Sequence, residues 1–109
     1  MIIFRDYDKE NRLDRVWYDS SNIVYTECDD KENDYKTVRA VFKNGSMYEY
    51  KKVDVNDYVR FIAGGLEGSN GKAFNQFIKN KCECEKKDTV IDLKILNEEM
   101  LKLKEEKLQ

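Results

Sequence analysis

Histidine and proline are both missing from these 109 residues, glycine occurs five times and cysteine three. Without histidine, Ser-His-Asp and Cys-His catalysis, imidazole proton shuttling and most zinc hydrolase sites are excluded. With no proline there is no proline-rich spacer, and neither an internal repeat nor a low-complexity linker divides the chain. Charge of one sign is also missing: twenty basic against twenty-two acidic residues leave a net −2, no global field to attract nucleic acid or membrane. No apolar run approaches the roughly 18 residues of a membrane span, and Met1-Ile2-Ile3-Phe4 is too short for a signal peptide. Three thiols, two of them at Cys82 and Cys84, with no secretory signal before them, fit a reduced cytoplasmic chain. The length itself excludes a two-domain enzyme with an interdomain cleft.

What is present is 40% hydrophobic and 39% charged residues, with 12% aromatics. Charge is uneven along the chain. Residues 1–35 hold five basic and ten acidic groups, residues 36–79 eight and four, and residues 80–109 seven and eight. A basic middle inside a mildly acidic protein is the one electrostatic pointer to an anionic partner. Plentiful Lys, Asn, Asp and Ile match AT-rich coding, as in an AT-rich bacterium or a bacteriophage.

The first half of the chain has β periodicity. Ile2-Ile3-Phe4 predicts a short edge strand, and the charged run Arg5 to Arg12 a turn. Val16-Trp17-Tyr18 and Ile23 to Cys28 flank the polar break Asp19 to Asn22, whose side chains compete for backbone hydrogen bonds. Thr37 to Phe42 alternates on a period of two, Asn44-Gly45 suits a type I′ turn, and Ser46 to Tyr50 forms the partner strand. The period then becomes helical. Val55, Tyr58, Val59 and Ile62 predict a helix to Ala63, with Asp54 as N-cap and Gly64-Gly65 as its stop. Phe74, Phe77 and Ile78 mark a second helix over 71–81, and Cys82 to Glu85 a closing strand. Thr89-x-x-Asp92 has capping-box spacing before a helix to the C-terminus. The expected fold is α+β, an antiparallel sheet of four or five strands with two packed helices and an added amphipathic helix. Residues 1–14 form an extension, 15–87 the domain and 88–109 the terminal helix.

Several chemical motifs fail on spacing. The stretch Gly64 to Lys72 ends like a phosphate loop, but Leu66 stands where glycine is required and Ala73 where Ser or Thr is required. A weaker use survives, in which N–H groups at the second helix with Lys72 hold a phosphate or carboxylate. Cys82-x-Cys84 lacks the Cys-x₂₋₄-Cys spacing and second ligand pair of a zinc site, so no metal is expected. The run Asp30, Glu32, Asp34 puts Tyr35 and Val41 at the glycine and glutamate positions of a calcium loop. No cofactor is implied.

The aromatics have two readings. One packs them beneath the helices; the other exposes an aromatic face on which a base stacks, flanked by Lys36, Arg39, Lys43, Lys51 and Lys52. In the terminal helix Leu93, Leu96, Met100 and Leu103 form a short a/d seam. Two heptads are too few for an independent coiled coil, so the helix docks on the domain or on another copy; self-association is favoured.

Taken in order, four segments resemble the KTSC domain, a module named for the C-terminus of some lysyl-tRNA synthetases. Ser20-Ser21-Asn22-Ile23 resembles its opening element, and Val41 to Tyr50 its hairpin with a Tyr-x-Tyr motif. Val53 to Phe61 resembles the following helix, and Ser69-Asn70-Gly71-Lys72-Ala73-Phe74-Asn75 with Ile78-Lys79 its ending. The resemblance spans residues 16–87. It implies a small α+β module without established catalysis, for which RNA binding has been suggested. The chain departs from the family at residues 1–14, at the acidic insertion Asp29 to Asp34 and at the helix from Thr89.

The expectation is therefore a non-enzymatic binding module for RNA or a nucleotide-like anionic ligand. Trp17, Tyr48 and Tyr50 would stack, and Arg39, Lys43, Lys52 and Lys72 would hold phosphate. The alternative is an oligomeric interaction protein of the kind phages and mobile elements carry, which sequesters a host signal or inhibits a host defence protein. It would assemble through Leu93, Leu96, Met100 and Leu103.

Overall fold

Alternating side chains in the first half of the chain build strands β1 (Ile2–Asp8), β2 (Leu13–Tyr18), β3 (Ile23–Asp29), β4 (Tyr35–Phe42) and β5 (Ser46–Asp54). A sixth, β6 (Cys84–Val90), joins β5 after the helices. All pairs are antiparallel and the order is β1-β2-β3-β4-β5-β6. The computed structural model describes residues 1–20, 22–32, 34–66 and 70–108. Ser21, Asn33 and the connector 67–69, which carries part of the glycine stretch and Ser69 of the family ending, lie outside them. The α+β expectation holds, with six strands rather than four or five.

The extra strand length lies in the charged segment read as a turn. Arg5 to Asp8 continues β1, because charged side chains on both faces find partners there. On one face Arg5 grips Asp14, Nε to Oδ1 at 2.9 Å and Nη2 to Oδ2 at 2.7 Å. On the other Arg15 meets Asp6 at 2.6 Å. The turn itself is held by Asp8, whose Oδ1 accepts the N–H groups of Glu10 and Asn11.

Between β4 and β5 the chain turns through Lys43-Asn44-Gly45. Only Gly45 has positive φ (+84°), so the turn is a three-residue loop ending in a left-handed glycine, not the two-residue type I′ form. Gly45 N–H donates to Phe42 O and Gly45 O accepts from Ile91 N–H at 2.8 Å. A Cβ at Gly45 would stand 2.8 Å from Ile91 O. Glycine is thus required twice, by conformation and by this close approach.

Helix α1 (Val55–Leu66) starts at Asp54, whose Oδ1 accepts from Asn56 N–H at 2.9 Å, as expected of the cap. It runs through Gly64-Gly65 instead of stopping there. The second helix is composite: α2 (Asn70–Phe74) passes into a π-helical turn (Asn75–Lys79), where Asn80 N–H reaches Asn75 O at 3.1 Å. Helix α3 (Leu93–Lys107) is capped by Asp92 Oδ1 on Lys94 N–H. The capping box at Thr89 does not form, because Thr89 belongs to β6.

The sheet is covered on both faces. Val16, Ile23, Val38, Val53, Phe61, Phe74 and Ile78 are fully or nearly fully buried between one face and the α1–α2 layer. Trp17, Tyr25, Val41 and Met100 form a second core under α3, joined by Phe4, Met47, Leu93, Leu96 and Leu103. The a/d seam of α3 therefore packs on the chain's own sheet, with Met100 buried and Leu93, Leu96 and Leu103 partly buried. A row of alternating charge crosses the sheet on this side: Asp6, Arg15, Glu27, Arg39 and Glu49 stand opposite one another on successive strands, and Lys87 of β6 closes it 3.5 Å from Glu49. A one-residue slip of any strand would turn its member to the other face, so the row helps fix register.

Candidate ligand pocket

The hairpin β4–β5, the π-helical turn and β6 enclose a cavity of ≈ 510 Å³. Its wall is aromatic. Phe42 contacts Tyr48 edge-to-face at 5.5 Å between centroids and Phe74 at 6.0 Å, and Tyr50 meets Phe74 at 5.3 Å. These edge-to-face contacts hold the rings in fixed orientations. Tyr48 remains half-buried, whereas Tyr50 is 3% exposed and its phenol is pushed up to about 12 by burial, with the thiol of Cys84 and Tyr48 adding to the effect.

Polar groups surround that wall. Lys43 and Lys79 line the cavity, both are exposed, and neither has an ion-pair partner among the described residues. Asn22 and Asn44 also line it. Lys43 N–H donates to Asn22 O at 2.9 Å, which fastens the segment before β3 to the hairpin. Asn44 Oδ1 accepts from Ser46 N–H at 3.0 Å, and its Nδ2 has no acceptor among the described residues. Cys84, exposed and reduced, completes the lining opposite Tyr50. Among the described residues, no carboxylate lines this cavity. Two ammonium groups, two amides and an aromatic wall make it suited to a planar, negatively charged molecule.

Of the seven residues proposed from sequence, Lys43, Tyr48 and Tyr50 meet here. Trp17 does not: it lies on the opposite face, 3% exposed, with Nε1–H donating to Leu96 O at 3.2 Å. Arg39 shares that face and is committed to Glu27 at 2.7 Å and Glu49 at 3.5 Å. Both corrections follow from strand parity, since odd and even positions project to different faces. Lys52, at φ +56°, occupies the irregular stretch of β5, and Lys72 is exposed on α2; neither lines the cavity. Asn22, Phe42, Asn44, Lys79 and Cys84 were not singled out as site residues. All but Cys84 fall within the four segments that carried the resemblance, so the signal was available there.

Fold and pocket define a class first: a small α+β module that presents a cavity at a β-hairpin. The family model of the KTSC domain matches residues 19–81, more than half of the chain, and the chain belongs to that family. The match covers β3 to the π-helical turn and leaves outside it β1, β2, β6 and α3. Searches of curated proteins and of solved structures returned no match. No helix among the described residues is long and apolar enough to cross a membrane, and no group of side chains among them is arranged to hold a metal ion.

Proposed function

We propose that the protein is a non-enzymatic binding module whose hairpin cavity holds one nucleotide-like anionic ligand. The observation that carries this reading is that Lys43 and Lys79 line one cavity, with no carboxylate among its described lining residues, beside the half-buried ring of Tyr48. A phosphate would lie between the ammonium groups and a planar ring against Tyr48, with the Asn22 and Asn44 amides at its polar edge. A volume of ≈ 510 Å³ is in the range of small-molecule sites. A run of RNA fits less well. Single-strand binding relies on successive exposed aromatics, and here Trp17 and Tyr50 are both buried.

The test is titration of the full chain with a panel of mononucleotides and with short RNA at low salt. Mononucleotides are expected to bind, and loss of one charge-assisted contact in Lys43→Met or Lys79→Met to weaken binding by about tenfold or more. Binding should also fall with salt, since an ion pair with phosphate is screened. Tight binding of RNA without mononucleotide binding would transfer the site to RNA. Failure of both would end the proposal.

A further inference from the structure

A second cavity, ≈ 530 Å³, opens where the N-terminal hairpin meets the start of α1. Arg5, Tyr7 and Asp14 supply one side of it, and these residues precede the family match at 19–81. Cys28, Lys36 and Tyr58, from within the match, supply the other. The cavity thus lies across the boundary of the family match.

Its hydrogen bonding is internally sorted. Asp14, 9% exposed, accepts two bonds from Arg5 and one from the Tyr58 hydroxyl at 2.6 Å. Asp30 accepts from Lys36 Nζ on one oxygen and from the Tyr7 hydroxyl at 3.2 Å on the other. Each carboxylate oxygen therefore already has a donor. Unspent capacity lies with the cations: Arg5 Nη1 makes no hydrogen bond among the described residues. Lys36 Nζ uses two of its three N–H groups, on Asp30 and on Glu32 O. The remainder of the lining is apolar, from Cys28 (2% exposed), Val55 and the two tyrosine rings. Asp14 and Asp30 balance the charge of these cations, and the donors left over beside an apolar wall fit a ligand with a hydrogen-bond-accepting head and an apolar body.

We propose that this cavity binds a small organic carboxylate, its carboxylate on Arg5 and Lys36 and its apolar body against Cys28, Val55 and Tyr58. The ¹⁵N-labelled full chain would be titrated with butyrate, phenylacetate and indole-3-acetate, and with the neutral amide of each, while amide resonances are followed. At least one carboxylate is expected to shift residues around Arg5, Lys36 and Tyr58 and to bind about tenfold tighter than its amide, the worth of a charge-assisted hydrogen bond. Lys36→Met should cut that preference several-fold, leaving the Arg5 contact alone, and Lys79→Met, in the other cavity, should keep it in full. The proposal is overturned if no carboxylate shifts these residues, if acid and amide bind alike, or if Lys36→Met keeps the preference in full. The acid–amide comparison on the unaltered chain decides even if the variant does not fold.

Discussion

Met100 is the residue of α3 whose removal separates docking on the chain's own sheet from docking on a second copy. It is 5% exposed and sits in the core with Trp17, Tyr25 and Val41. Met100→Ala removes three heavy atoms from that core, which at ~0.8 kcal/mol per methylene-sized group is about 2 kcal/mol of lost transfer energy. Incomplete collapse of the hole adds to it, for a total of about 2–4 kcal/mol. With a urea slope of about 2 kcal/mol/M, the unfolding midpoint should fall by roughly 1–2 M. The chain's single tryptophan provides the signal, because Trp17 lies under α3 with its indole N–H on Leu96 O. Leu101→Ala, at a position 53% exposed, is the matched control and should change stability by less than about 0.5 kcal/mol. Sedimentation velocity on the same samples completes the assay. Equal losses from both variants would refute the assignment of the buried face. So would a wild-type oligomer that Met100→Ala dissociates while Trp17 emission stays that of a buried indole.

Three further outcomes are expected. Gly45→Ala should destabilise by about 1–2 kcal/mol from the left-handed backbone alone, and by more from the approach to Ile91 O, measured by urea unfolding. Lys52→Gly acts in the opposite direction: at φ +56° the lysine bears a left-handed penalty that glycine lacks, so the thermal midpoint should stay level or rise. With acid, Asp30 follows the carboxylate sign rule. Its hydrogen bond from Lys36 holds it below its ordinary 3.8, so the stability it contributes is present above that pH and lost as pH falls through the lower folded value. Asp30→Asn should flatten that part of the pH–stability curve, and an unchanged curve would remove Asp30 from it.

Much of this architecture was legible because its causes are local. The alternation in Thr37 to Phe42, the glycine at the hairpin and the spacing of Val55, Tyr58 and Ile62 each depend on a few neighbouring residues. Long-range pairing was less visible. Arg5 and Asp6 looked like loop residues until Asp14 and Arg15 supplied partners on opposite faces. The composition of α3 gave its apolar stripe but not what covers it. Trp17 was grouped with Tyr48 and Tyr50 on residue type, yet strand parity and the α3 helix put it in another core. The pocket was less legible: three of its eight described lining residues were named from the Tyr-x-Tyr hairpin, and Lys79 needed the π-helical turn to bring it there.

The unbroken strand order has a consequence for how the chain is made. From β1 to β5 each strand pairs with one already synthesised, so the sheet can be laid down in the order of translation. The face beneath α3 has no cover until α3 emerges from the ribosome. Contacts such as Arg15 with Glu99, at 2.8 Å, and Lys107 with Arg5 O, at 3.1 Å, join the first two strands to α3 and form only then. A nascent chain stalled before Leu93 would display Trp17, Tyr25 and Val41 to solvent, a form that chaperones would bind and proteases would find.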